Sequence, residues 1–318
     1  MQKPLIITLE EHYLDAAIVE KLGSVDGARS PEMRRRLDDI GALRIREMDE
    51  AGIDIQVLSH GAPGAQGMRG ETAVQLAHAA NDRLYRAIQS HPTRFAGFAS
   101  LPTAEPNEAA AELERAVSDL GFKGAMVHGL SDGRFIDHKE FWPIFERAER
   151  LDVPLYIHPA PPHAGVVEVY YKDYSDKYPI FARAAWGFTV EAATQAIRLV
   201  LSGAFDRYPN LKIILGHFGE ALPYLVWRID ESLSRPGNFP RSFREIFCNN
   251  FYVTTSGNFS TPALICCLME MGVERILFSV DWPFVSNTAG VNWLKSTPLS
   301  EKDRWKIFGG NAERLLRL

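Results

Sequence analysis

Eight apolar runs of strand length recur along this chain, each separated from the next by a helical or loop segment. They cover residues 5–12, 53–60, 95–102, 122–129, 153–162, 211–220, 251–258 and 275–284. Strands that alternate with helices imply parallel βαβ units, and nearly continuous apolar character suits strands covered on both faces. Eight such units closing on one another make an α/β fold, the (β/α)8 TIM barrel, here as one domain over residues 1–318. Active sites of that fold form at the C-terminal strand ends. Six of the runs end in Glu10/His12, His60, His128, His158, His217 and Asp281, which places five of the nine histidines at such ends.

Composition narrows the function classes. The net charge of -5 and the absence of a basic run argue against a nucleic-acid surface. Cys248, Cys266 and Cys267 have no CxxC spacing, so buried structural thiols are expected in place of disulfides or a thiolate metal site. No charged-then-apolar leader pattern opens the sequence, and no apolar stretch approaches the roughly 18 residues that span a bilayer. A cytoplasmic setting without membrane association is the expectation.

Residues two apart on a strand point the same way, so Glu10 and His12 project together. Closing the barrel brings Glu10, His12, His158 and Asp281 around one mouth, where two imidazoles and two carboxylates suit one Zn²⁺ or Mn²⁺ ion. The fourth run ends in His128 and offers no lysine to bridge a second metal, which favours a single ion. Glu220, three residues after His217, either holds that ring or stands as a carboxylate at a helix N-terminus. Arg228 reads as a structural salt-bridge partner, and His78 and His91 as surface or helix-end residues. The Tyr- and Pro-rich segment from Pro159 to Arg183 reads as a lid or binding loop.

Glu10-x-His12, YIHP at His158, ILGHFGE at His217 and Glu220, TTSGNF at Asn258 and FSVDWPF at Asp281 together resemble the amidohydrolase superfamily. More narrowly they are similar to its aromatic acid decarboxylases, the γ-resorcylate and 2,3-dihydroxybenzoate decarboxylases. The resemblance implies metal-dependent, non-oxidative decarboxylation of an ortho-hydroxybenzoate by a homodimer or homotetramer. It implies Glu10, His12, His158 and Asp281 as metal ligands, with Asp281, His217 and Glu220 as the catalytic group. His60 and His128 stand where these relatives carry Asn, and both are expected to face the substrate. The segment from Pro161 to Ala184 also departs from the family pattern. Trp186, Phe188 and Phe284, with Tyr13, are candidates to wall a flat ring, with core packing equally open for each. Two rivals remain: a hydrolase of a lactone, ester or amide on the same barrel, and a non-catalytic barrel that keeps its ligands for stability.

Overall fold

The computed structural model describes residues 4–23, 30–236 and 239–318. Its strands are β1 (Ile7–Tyr13), β2 (Ile55–His60), β3 (Phe95–Gly97), β4 (Ala99–Ser100), β5 (Ala125–His128), β6 (Leu155–His158), β7 (Ile213–Leu215), β8 (Phe251–Thr254) and β9 (Ile276–Leu277). All neighbouring pairs are parallel, in the order β1-β2-β3 and β4-β5-β6-β7-β8-β9.

Backbone hydrogen bonds join the two sheets into a barrel at both seams. Phe98 interrupts the third apolar run, yet its N–H donates to the Leu58 carbonyl (2.9 Å) while Lys123 donates to Gly97 (2.9 Å). At the other seam His12 N–H donates to the Trp282 carbonyl (2.8 Å), and Glu11 bridges Trp282 in parallel.

Helices fill the crossovers. Gly70–Ser90, Pro106–Ser118, Trp142–Leu151 and Gly187–Leu201 follow the segments where helical spacing is legible in the sequence. The polar stretch after β1 contains Ala16–Leu22, Pro31–Asp38 and Ala42–Ala51. Among the described residues no helix is long and apolar enough to cross a membrane.

Alternation along each strand divides the core into two layers. Ile7, Leu9, Val57, Ala96, Phe98, Met126, Tyr156, Ile214 and Leu277 fill the barrel interior, whose lower end is closed by Ala312, Leu315 and Leu316 of the helix Asn311–Leu316. Their strand neighbours, among them Leu58, Val127, Ile157, Leu215 and Phe278, face outward against the helices.

One irregularity in this alternation creates the site. Ile7 and Leu9 point inward, so simple alternation would turn Glu10 and His12 outward. The β1–β2 register slips by one residue between Thr8 and Glu11, a β-bulge. The bulge returns Glu10 and His12 to the interior and sends Glu11 out, the re-aiming for which bulges beside active sites are known. Ser279 Oγ receives both freed amides, Leu9 N at 3.2 Å and Glu10 N at 2.6 Å.

Candidate metal centre

Glu10 and His12 of β1, His158 at the end of β6 and Asp281 beyond β9 offer ligand atoms that all lie within 4.8 Å of one another. His12 Nε2 is 3.3 Å from Asp281 Oδ1, and His158 Nε2 is 3.3 Å from Glu10 Oε1. Glu10 Oε1, His12 Nε2 and Asp281 Oδ1 are buried and have no hydrogen-bond partner among the described residues. Buried polar atoms are normally satisfied, so three orphans converging on one point mark a place for a cation. The donor set of two imidazole nitrogens and two carboxylates fits one Zn²⁺ or Mn²⁺ ion.

The other side of each ligand is held. Glu10 Oε2 accepts from Tyr156 Oη and Ser256 Oγ, which leaves Oε1 for the ion. His12 Nδ1 lies 3.4 Å from Ser59 Oγ, and His158 Nδ1 lies 3.2 Å from His128 Nδ1. A Cβ at Gly216 would stand 2.8 Å from Glu10 Oε2, so the glycine leaves room for that carboxylate. Burial opposes charge on Glu10, but His217, His158 and His12 hold its carboxyl well below the usual range. Burial keeps the His12 ring below its ordinary pKa despite Asp281, which favours the bare nitrogen that a metal needs.

His217 stands beside this group, with Nε2 3.7 Å from Glu10 Oε1 and 3.9 Å from Asp281 Oδ2. Its Nδ1 is 2.7 Å from Glu220 Oε1. That pairing does not arise on a helix. Residues 217–221 run through left-handed conformations, with φ of 50° at His217, 57° at Phe218, 73° at Gly219, 54° at Glu220 and 64° at Ala221. Consecutive positive φ values in L-residues cost energy and concentrate at functional sites. Burial resists charge on His217, yet Glu220, Glu10 and Asp281 outweigh it and raise the imidazole well above its ordinary pKa.

The sequence leads to a different neighbourhood for several other residues. His60 faces outward, because Val57 and therefore Ser59 face in; its ring packs edge-on against outward Tyr13 at 5.4 Å. Both of its nitrogens are engaged by backbone, Nε2 accepting from Asp15 N (2.9 Å) and Nδ1 donating to the Gly61 carbonyl (2.6 Å). The expected substrate contact is corrected accordingly. His128 faces inward but is spent on His158 and does not line the cavity. Trp186 is half-exposed and also outside the cavity lining. Phe188 and Phe284 do line it, the latter 5.8 Å from the His12 ring. Arg228 is exposed, and the left-handed turn separates its helix, Leu222–Leu233, from Glu220. Of the three cysteines only Cys267 is buried, and Cys266 reaches the cavity beside it.

The cavity above the four ligands holds about 940 Å³ and is mostly apolar. Arg183, Ala184 and Ile180, from the end of the long loop after β6, form part of its wall. Sequence reading missed the lock behind β1. The outward Glu11 carboxylate accepts from Val280 N (3.0 Å) and Trp282 N (3.1 Å), so it fixes the segment that carries Asp281. Arg44, fully buried, donates to the His12 carbonyl and lies 4.0 Å over the Trp282 ring. The available signal was Glu11 itself, a carboxylate on the covered face of a buried strand.

Residues 11–318 match the profile of the amidohydrolase family. The γ-resorcylate decarboxylase of Polaromonas sp. (strain JS666) is 44% identical over 325 residues, covering 98% of each chain. A solved 2,6-dihydroxybenzoate decarboxylase in complex with 2,6-dihydroxybenzoate is 39% identical, with a TM-score of 0.90 and 99% of each chain covered. A dihydroxybenzoic acid decarboxylase from Polaromonas sp. JS666, with bound manganese and the inhibitor 2-nitroresorcinol, is 42% identical with a TM-score of 0.92, covering 99% of this chain and 98% of that one. From its barrel, its strand-end ligands and these matches, the chain belongs to the amidohydrolase family.

Proposed function

We propose that this protein is a metal-dependent, non-oxidative decarboxylase of an ortho-hydroxybenzoate-type acid. The observation that carries the reading is the set of three buried, unpartnered atoms of Glu10, His12 and Asp281 that converge beneath a mostly apolar cavity lined by His12, His158 and Asp281, in a chain so similar to enzymes of that activity. Glu10, His12, His158 and Asp281 would hold one divalent ion, Mn²⁺ by similarity to the Polaromonas structure or Zn²⁺ by donor type. When bound, that ion supplies Lewis-acid charge for the carboxylate and ortho oxygen of the substrate.

The remaining chemistry belongs to the side chains. Asp281 delivers a proton to the ring carbon that bears the carboxylate. The bond from that carbon to the carboxylate then breaks, CO₂ leaves, and the electron pair of that bond restores the aromatic ring. His217, held at Nδ1 by Glu220, presents Nε2 to Asp281 Oδ2 and keeps a proton beside it. Phe188 and Phe284 wall the ring, and the apolar lining limits water at the site.

A homodimer or homotetramer belongs to the same proposal, as does a cytoplasmic location. Tyr224, Trp227 and Met269 are 81%, 69% and 79% exposed, an apolar face that a second copy would cover. Sedimentation at the mass of one chain would remove the oligomer.

The activity is tested by CO₂ release from a panel of hydroxylated benzoates with Mn²⁺-loaded enzyme, Asp281→Asn serving as control. Release from an ortho-hydroxy acid that the variant abolishes is the expected result. No release from any acid in the panel, with hydrolysis of a lactone or ester instead, would replace the decarboxylase by the hydrolase.

A further inference from the structure

His128 and His158 end adjacent strands, pair in register, and bring their Nδ1 atoms to 3.2 Å. Two facing ring nitrogens at that distance share one hydrogen, so one donates and the other is bare. The opposite edge of His158 decides which. Its Nε2 faces Glu10 Oε1 at 3.3 Å and belongs to the ligand group, where a metal-binding nitrogen is bare. His158 therefore carries its proton on Nδ1 and donates it, while His128 Nδ1 accepts.

His128 is built to do this. It is buried, and its ring meets that of His158 at 72° with centroids 5.0 Å apart. Gln66 clamps its backbone from both sides, donating to the His128 carbonyl (2.6 Å) and accepting from its amide (2.9 Å). Gly129, at φ 50°, lets the chain turn away directly behind it against Ala160. None of its atoms lines the substrate cavity.

We propose that His128 is a positioning residue for the metal centre: a neutral acceptor that fixes the tautomer and ring orientation of His158, and so sets how tightly the ion is held. The inference rests on the four-ligand centre proposed above and adds to it a partner that the substrate never touches. A ligand histidine whose far nitrogen loses its partner can rotate and swap tautomers, and such losses typically weaken metal affinity by about 10- to 100-fold.

The test needs no substrate. Mn²⁺ dissociation constants are measured by chelator competition for the wild type, His128→Leu and His128→Asn, with melting of each apoprotein as a check on folding. His128→Leu should lose about 10- to 100-fold in affinity. His128→Asn, whose side-chain carbonyl can accept from His158, should recover most of it. Wild-type affinity in a folded Leu variant overturns the proposal. Should the Leu variant fail to fold, ¹⁵N-histidine NMR of the Zn²⁺-loaded wild type decides: protonated Nδ1 on His158 supports the assignment, and protonated Nδ1 on His128 sinks it. Where a substrate has been found, KM at saturating Mn²⁺ should change less than about twofold in the Asn variant, and a KM effect without an affinity effect would return His128 to the substrate. Failure of the decarboxylase reading would leave the affinity result standing.

Discussion

The ends of β2 and β6 look alike as sequence: each is an apolar run that closes on a histidine, LSH at His60 and YIH at His158. In the barrel they do opposite work. Tyr156 faces the interior, so His158 two residues on does too, and its Nε2 joins the ligand group. In β2 the interior positions are Val57 and Ser59, so His60 lies behind the wall with both nitrogens on backbone groups. A displacement of one residue separates a histidine of the candidate ligand group from one bound to the backbone. Among the described residues Glu10 Oε1, His12 Nε2 and Asp281 Oδ1 are left unpaired at the mouth, while both nitrogens of His60 are engaged. The first arrangement is suited to a bound ion and the second satisfies the fold.

The sharpest way to break this comparison is on the ligand wall. On the proposed mechanism, Asp281→Asn keeps an oxygen for the ion but removes the group that moves a proton. General acid–base groups typically contribute about 10²–10⁴ in rate, so kcat in the CO₂ assay should fall by about 10³. Loss confined to KM, with kcat intact, would reassign Asp281 to binding alone.

A smaller effect is expected where a carboxyl lies buried behind β5. Glu191 Oε1 has no hydrogen-bond partner among the described residues, and a Cβ on Gly129 would come within 3.4 Å of it. Burial raises its pKa from 4.5 to about 7. The folded chain therefore retains a proton that the unfolded chain releases between those values. Its contribution to stability is fully present below pH 4.5 and is lost as the pH rises through about 7. Glu191→Gln removes that loss. The variant should be about 2–3 kcal/mol more stable than the wild type at pH 8, with the gain vanishing near pH 4, as read by denaturant unfolding at each pH. An equal gain at both pH values would trace the effect to packing instead of proton linkage.

The sequence carried the barrel well because its strongest signals are repetitive. Eight apolar runs separated by helices leave few topologies, and the strand ends carry the chemistry of the mouth. Three features were not legible, each for a physical reason. Strands buried on both faces have no polar side to mark parity, so IDIQVLSH gives no sign that His60 points out. A bulge changes alternation without changing composition, and LEEH reads as one regular strand although Glu10 turns inward only through the register slip. The left-handed turn at residues 217–221 contains one glycine, so its remaining positive φ values come from tertiary context and not from residue type. The fragmentation of the third run at Phe98 belongs with these, since its ladder is completed by neighbours distant in sequence.

The smallest effect on activity is expected at His60, where the comparison is most exposed to refutation. The ring accepts from the Asp15 amide, and Asp15 in turn caps the helix Ala16–Leu22 and pairs with Arg83. His60→Leu leaves the Asp15 amide and the Gly61 carbonyl without this partner, at a cost of about 1–3 kcal/mol for each group left unsatisfied. The unfolding midpoint should therefore fall. Burial already holds the ring to a pKa of about 4, so no charge is removed from the mouth at neutral pH. Mn²⁺ affinity and KM should stay within about twofold of the wild type, because neither nitrogen was offered to ion or ring. A tenfold rise in KM with an unchanged melting point would show the opposite, that the β2 wall also reads the substrate and that strand parity does not divide the two histidines.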